Sequence, residues 1–329
     1  MKAVVYETYG SPDVLHVKEV ERPVPKDDEV LIKVHAAEVT KADCEMRSFN
    51  FQVKWFWLPL RFALGLTKPK KQVLGVYFAG EVESVGKDVS KFKKGNQVFG
   101  TTRLRLGAHG EYVCLPANYT LVPKPYNMNL AEAAGVPLGG LNALHFLRKA
   151  NIQAGEKILI NGAGGSIGSF GVQIAKAMGA EVTAVDHGTK EGMLRRLGAD
   201  HFLDYTKGDF TESGRTYDVI FSMVAQTSYS KCIKTLNPRG RYVMANPRMS
   251  DMLRSLLMSI FTDKNAIFVF AGEKEEELLF LKEMIEAGKI KSVVDKIYSY
   301  EQAAEAHRRV ETEQRLGAVL ISAECNSKT

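Results

Sequence analysis

The sequence is short of cysteine. Cys44, Cys114, Cys232 and Cys325 are scattered through 329 residues and form no CxxC pair. This spacing argues against both a disulfide framework and a clustered zinc site, and it suits a reducing compartment. A long apolar run is also lacking: Phe49 to Leu66, the most apolar segment outside the strands, is interrupted by Lys54, Pro59 and Arg61 and is too broken to span a bilayer. The opening MKAVVYETYG enters a strand at once and has no apolar h-region, which predicts the cytoplasm and no integral membrane segment. Strong charge of one sign is missing too. The formal net charge is +6, with only short basic runs such as Lys68 to Lys71. A solvated basic surface accounts for this better than a nucleic-acid partner. No internal repeat or low-complexity tract interrupts the chain.

What is present is an ordinary globular composition, 45% hydrophobic and 25% charged, in a chain long enough for about two domains. Up to about Lys124, short β runs (Ala3 to Tyr6, Glu29 to Ala37, Gly80 to Val85, Gln97 to Phe99, Glu111 to Leu115) alternate with Gly, Pro and Asp turns. From about Pro125 strands alternate with helices, the pattern of a doubly wound parallel sheet. After Gly272 the sequence predicts a helix over Lys274 to Ala287, another over Ser299 to Glu311, and a last strand over Gly317 to Ile321. That tail is too short for a third domain, so it is expected to complete the N-terminal one. The resulting division is 1–124 with 271–329 as a β-rich domain, and 125–270 as an α/β domain.

The segment Glu156 to Asp186, EKILINGAGGSIGSFGVQIAKAMGAEVTAVD, carries the chemistry. Lys157 to Ile160 reads as a buried parallel strand, and Phe170, Ile174 and Ala177 fall at helical spacing. Between them Ala163, Gly165 and Gly168 occupy the three positions of a dinucleotide fingerprint, with Gly162 and Gly164 beside them and Ser166 and Ile167 inside the turn. Glycines let the backbone approach a pyrophosphate, and the new helix N-terminus offers unpaired N–H groups and its positive dipole end. Asp186 follows at the end of the next strand, where a carboxylate can accept the ribose hydroxyls of an adenosine.

The opening MKAVVYETYG, VLGVYFAGEVESVGKDVSKFKKGNQVFG, AAGVPLGGLNALHFL, LGADHFLDY and the closing LGAVLIS stand in the order in which they occur in the medium-chain dehydrogenase/reductase superfamily. Over nearly its whole length the chain resembles the zinc-lacking, quinone oxidoreductase-like branch. The resemblance implies a GroES-like catalytic domain made from both chain ends, with a Rossmann domain between them. It also implies a homodimer, with Ile267 to Phe270 a plausible edge strand for the pairing.

Zinc members of the superfamily hold a catalytic ion with Cys, His and a third thiolate or acid. At the matching places this chain has Thr40, Val76 after Gly75, and Leu138 to Gly139, so no metal is expected. Cys44 with His109 is the residual pair of conceivable ligands. Without a metal to lower a hydroxyl pKa, oxidising an alcohol is hard, whereas a quinone or an α,β-unsaturated carbonyl accepts hydride directly from a nicotinamide. The expected activity is NAD(P)H-dependent reduction of such a small-molecule acceptor. The alternatives are an NAD(P)-dependent alcohol dehydrogenase and a non-catalytic nucleotide-binding regulator.

The resemblance puts Ser222 and Val224 at a second cofactor contact, Thr40 near the nicotinamide ribose or substrate oxygen, and Lys190, Tyr205 and Arg315 where NADPH-using relatives hold a 2′-phosphate. Asp186 disfavours that phosphate by like-charge repulsion, and on this ground NAD(H) is favoured over NADP(H). Tyr77 stands where close relatives carry an acid and reads either as a buried aromatic or as a phenol offered to a developing enolate. Arg47, Phe49 and Trp55 belong to an aromatic-rich stretch that reads either as a lid over the substrate or as core packing or a membrane-surface contact. His145 and His307 are expected to be structural or exposed.

Overall fold

The computed structural model of the chain describes residues 1–51, 61–62, 64–268 and 272–324, the side chains of 256–261 excepted. The chain divides into two compact units, one of residues 1–138, 273–288 and 292–329, the other of 139–272 and 289–291. The fold is mixed α/β, a GroES-like unit with a Rossmann unit. Among the described residues no helix is long and apolar enough to cross a membrane.

The first unit is built on a seven-stranded sheet, in the order Val294–Ser299, Ala318–Ser322, Glu29–Val39, Tyr77–Val85, Gln97–Thr101 and Leu121–Pro123, with Tyr112–Pro116 also pairing with Glu29–Val39. The eleven-residue strand Glu29–Val39 is its axis. Val30, Ile32 and Val34 alternate on one face and pack with Phe78, Val98, Leu115 and Leu121 in a buried core. The last strand joins this sheet antiparallel, Val319 opposite Val39 and Ile321 opposite Ala37. Both ends of the chain therefore build one sheet.

Two expectations need correction here. Residues 125–138 belong to the first unit: Tyr126 N–H donates to Glu286 at 3.1 Å, and Asn127 Nδ2 donates to the Ile285 carbonyl at 2.9 Å. The helix expected from Ser299 begins at Ala303 instead, because Ser299 closes the strand Val294–Ser299 and caps a short 3-10 turn over Tyr300–Gln302. Trp55 and the end of the apolar run at 267–270 lie outside the described residues.

The second unit is a six-stranded parallel sheet, ordered His201–Asp204, Glu181–Asp186, Lys157–Asn161, Tyr217–Ser222, Leu236–Met244 and Asn265–Ile267. Numbered by sequence within the unit, the order is 3-2-1-4-5-6, the doubly wound Rossmann arrangement. Ile158, Leu159, Val182, Val219 and Ile220 are fully buried, as a sheet covered on both faces requires. The order reverses between Lys157–Asn161 and Tyr217–Ser222. A ligand crevice is expected at the carboxyl ends of these two strands.

Candidate functional site

At that reversal, Gly162 turns the chain with φ 87°, and the N–H groups of Gly162 and Ala163 both donate to the Val185 carbonyl, at 3.0 and 3.1 Å. The turn is thereby fastened to the neighbouring strand end. Gly168 sits so close under it that a Cβ would lie 2.3 Å from the Gly162 oxygen and 2.5 Å from Ala163 Cα. The helix Ser166–Ala177 then starts at Gly165, which supplies no side-chain cap. Its first N–H groups have no intrahelical acceptor. The Ser166 hydroxyl beside them is buried and makes no hydrogen bond. An uncapped helix start, an orphaned hydroxyl and a glycine-tight turn fit the pyrophosphate of a dinucleotide.

The Asp186 carboxylate is not free. Oδ2 accepts the Gly164 N–H at 2.7 Å, while Oδ1 accepts the His187 N–H at 2.8 Å and faces Lys190 Nζ at 2.9 Å. Asp186 and Lys190 are only 6% and 4% exposed. Gly164, His187 and Lys190 thus already occupy most of the acceptor sites that the sequence reading offers to ribose hydroxyls. Tyr205 follows on the next strand end, its N–H donating to the Asp186 carbonyl at 3.3 Å and its ring 6.1 Å from that of His187. Ser222 lies at the other side of the reversal. Its hydroxyl accepts from Asn161 Nδ2 at 3.2 Å and from the Val224 N–H at 3.3 Å, and Val224 flanks Gly162. The sequence-expected group Gly162 to Gly168, Asp186, Lys190, Tyr205, Ser222 and Val224 thus gathers at one end of one sheet. Arg315 belongs to the first unit, where it donates to the Val310 carbonyl at 2.8 Å and pairs with Glu313 at 3.2 Å.

The first unit holds a buried polar cluster around a residue that sequence reasoning passed over, Asp43. Thr40 caps the helix Lys41–Ser48: its Oγ1 accepts the Asp43 N–H at 3.1 Å and donates to Asp43 Oδ2 at 2.6 Å, while its own N–H reaches the same oxygen at 2.8 Å. The Thr40 hydroxyl thus both donates and accepts within the cap. The other Asp43 oxygen accepts the Gly75 N–H at 3.1 Å. Gly75, at φ 92°, could not be replaced without a clash, since a Cβ would lie 2.4 Å from the His109 ring. The sequence signal for Asp43 was present, a Thr followed three residues later by an acid before a helical run.

His109 Nε2 faces the Glu38 carbonyl at 3.3 Å, and Cys44 Sγ lies 3.4 Å from His307 Nδ1. Cys44 and His109 are thus engaged with different partners, and among the described residues no group of three or more His, Cys, Asp or Glu is arranged to hold a metal. Burial pushes the Cys44 thiol up to about 12, which makes it inert. Both histidines are held below their ordinary value, chiefly by burial. Arg47 does not line an open pocket. Its guanidinium is 1% exposed and pairs with Glu311, so the turn of the helix aims it inward. Phe49 is likewise buried, edge-on to Tyr9 and Phe51 at 4.9 and 5.2 Å and covered by Arg61.

Tyr77 begins the strand that leaves Gly75. Its phenol is driven far above the ordinary value, first by enclosure and then by the Glu273 carboxylate beside it. Glu273 itself accepts a hydrogen bond from Thr101 Oγ1 at 2.7 Å. Tyr77 and Glu273 lie in the same unit as the cap at Thr40.

A Rossmann sheet with a glycine turn at its reversal, in a chain whose two ends form a GroES-like sheet, defines a nicotinamide-dinucleotide oxidoreductase. Residues 26–126 match the alcohol dehydrogenase GroES-like domain and residues 197–321 the zinc-binding dehydrogenase domain. The human quinone oxidoreductase is 30% identical over 94% of this chain and 94% of its own length. The chloroplastic NADPH-dependent alkenal/one oxidoreductase of Arabidopsis thaliana is 31% identical over 98% of this chain and 79% of its own length. The quinone oxidoreductase structure from Coxiella burnetii superposes with a TM-score of 0.87, at 26% identity, over 98% of this chain and 99% of that one. The chain belongs to the medium-chain dehydrogenase/reductase superfamily, in its quinone oxidoreductase-like branch, and it is an oxidoreductase.

Proposed function

We propose that this protein reduces a quinone or an α,β-unsaturated carbonyl with NADPH, without a metal. The relatives named above for quinone and alkenal/one reduction support the acceptor class. The observation that carries the cofactor is the internal commitment of Asp186. A carboxylate whose oxygens already hold Gly164, His187 and Lys190 is poorly placed to select ribose hydroxyls, whereas a 2′-phosphate is anionic enough to compete for Lys190. The Arabidopsis relative is an NADPH-dependent enzyme by name, which supports the same choice.

In this reading Gly165, Ser166, Ile167 and Gly168 hold the pyrophosphate with backbone N–H groups, and the Ser166 hydroxyl gains a partner. The bound nicotinamide supplies a hydride. The acceptor gains that hydride at carbon, its π electrons move onto the carbonyl oxygen, and a proton completes the reduced product. Tyr77, kept protonated by its surroundings, is the O–H we assign to the developing enolate, with Glu273 beside it as its orienting partner. Thr40 and Asp43 act behind it by fixing the entry to its strand at Gly75. The donors that would have to gather a zinc ion are spent on other contacts, which supports a metal-independent reaction over alcohol oxidation. We further assign the dimer contact to the edge strand Asn265–Ile267. Sedimentation tests that assignment.

The deciding experiment follows oxidation of NADPH and NADH with a panel of quinones and enones, in the wild type and in Lys190→Ala. NADPH turnover that falls with Lys190→Ala while the slower NADH turnover holds supports the reading. Turnover with simple alcohols only, together with stoichiometric zinc, overturns it.

A further inference from the structure

A face of the first unit, unrelated to the glycine turn, exposes large apolar side chains among unpaired lysines. Leu104 is 89% exposed, Phe62 59% and Leu66 56%. Isolated exposed leucines need no explanation, but Leu104 is held out by its backbone. It sits in a 3-10 turn, Arg103–Arg105, bracketed by two non-glycine residues in the left-handed region, Arg103 at φ 49° and Leu106 at φ 59°. Each such residue costs about 1–2 kcal/mol. The flanking arginines are exposed as well, but their guanidinium groups are held by neighbours. Arg103 donates to Thr120 Oγ1 at 3.0 Å and stacks on Tyr119, and Arg105 pairs with Glu29 at 2.6 Å. Leu104, between them, is left to solvent.

Two lysines adjacent in sequence link the backbone at Phe62 with the backbone at Leu104. Lys70 Nζ donates to the Phe62 carbonyl at 2.7 Å, and Lys71 Nζ donates to the carbonyls of Leu104 and Arg105 at 2.5 and 3.1 Å. Neither these two nor Lys68 forms an ion pair among the described residues, so their charge is not neutralised. The surrounding sequence is of one sign: no Asp or Glu occurs from Met46 to Gly80, nor from Val89 to Gly110. Exposed apolar side chains beside lysines that form no ion pair among the described residues match a negatively charged bilayer surface, where lysines meet lipid phosphates and the apolar tips enter the acyl boundary. A protein partner or a second copy of this mildly basic chain would have to bring its own acids to this patch.

The geometry points to a membrane-docking surface on the first unit, made by Phe62, Leu66 and Leu104 with Lys68, Lys70 and Lys71, that seats reversibly on anionic lipid. The inference goes beyond the reductase reading and does not depend on it, since lipid binding is measured without any acceptor or turnover.

The test is co-sedimentation of the full chain with phosphatidylcholine vesicles that contain or lack phosphatidylglycerol. Binding to the anionic vesicles only, weakened by salt, is expected. It should weaken roughly fivefold for each lysine neutralised in the series Lys68→Gln, Lys70→Gln and Lys71→Gln. Leu104→Ser, at a solvent-exposed position, should lower it as well while thermal melting and dinucleotide binding stay unchanged. No binding to anionic vesicles at low salt, equal binding to both vesicle types, or binding unaffected by both sets of variants overturns the proposal. So does an oligomer that Leu104→Ser dissociates in the absence of any lipid binding, which would give the face to a second copy.

Discussion

The backbone N–H of Gly164 donates to the Asp186 carboxylate at 2.7 Å, so the glycine turn is braced by the strand end that follows it. The brace makes the glycines of the turn unequal. At Gly164 an added Cβ would meet Lys190 Cδ at 2.3 Å and Asp186 Oδ2 at 2.9 Å, and the lysine stem can move away. At Gly168 it would meet only backbone, the Gly162 oxygen and Ala163 Cα. Gly164→Ala should therefore break the Lys190 contact at a cost of about 1 kcal/mol, whereas Gly168→Ala should cost about 3 kcal/mol and displace the turn. Thermal melts and NADPH titrations of the two variants check this. Equal losses in both would show that the brace is not what distinguishes them.

Asp43 is expected to matter more than Thr40, although Thr40 was the more legible residue. Thr40→Val removes a helix cap worth about 1 kcal/mol, and Thr40→Ser restores it. Asp43→Asn turns an NH₂ toward at least one of the N–H and O–H donors that the carboxylate now accepts, which should cost about 3 kcal/mol. Melting temperature and kcat are to be read together. A Thr40→Val enzyme that melts like the wild type but has lost turnover would mean that the hydroxyl touches substrate after all.

How much of this was legible follows from the range of the interactions. The strand, turn, helix and strand from Lys157 to Asp186 are coded by local periodicity and glycine placement; the strands appear within a residue of their expected bounds, while the helix starts at Ser166, three residues before the Ser169 that its apolar spacing marks. The return of the last strand to the first sheet was likewise readable, because the tail was too short for a core of its own. The fate of Asp186 was not. Its type and position announced a ribose acceptor, but its hydrogen bonds depend on where Gly164 and Lys190 fall in space. Arg47 misled for a related reason: a long cation next to aromatic residues reads as a pocket wall until the helix direction buries it against Glu311. The strand Val294–Ser299 escaped notice because only Tyr298 and Ser299 in it are buried and its apolar alternation is weak.

The buried histidines give the fold an acid-sensitive point. His109 and His307 lie with ring centroids 6.2 Å apart, and both are held below their ordinary value: His109 by burial, His307 by burial, by the neighbouring ring and by Arg47. In the unfolded chain each titrates near pH ~6.5. Below that value the unfolded state binds protons that the native state refuses, so the stability these rings supply is complete above about pH 6.5 and is lost as the pH falls. The slope is about 1.4 kcal/mol per pH unit for each ring. Melting temperature should drop on going from neutral to mildly acidic buffer, before the carboxylates titrate, and His307→Gln should flatten the drop. An unchanged slope in that variant would place the acid sensitivity elsewhere.

Tyr77 offers the sharpest separation of chemistry from structure. Enclosure and the Glu273 carboxylate both favour the neutral phenol, so it keeps its proton through the physiological range and can act as a hydrogen-bond donor to a forming enolate. A phenol raised in this way should not impose an alkaline limb on the activity near its ordinary value of about 10. Tyr77→Phe keeps the ring and removes only the hydroxyl. It is expected to lower kcat on enones by about a hundredfold or more, with little change in the KM for NADPH, because the missing donor acts on charge that develops during the reaction. Quinones, whose reduced anion is better stabilised by resonance, should lose much less. Glu273→Gln should fall between, since the phenol keeps a polar neighbour but loses the charge that helps hold its proton. Equal losses for enones and quinones in Tyr77→Phe, or a raised KM with kcat intact, would assign the phenol to packing or binding, and the proton would then have to come from water.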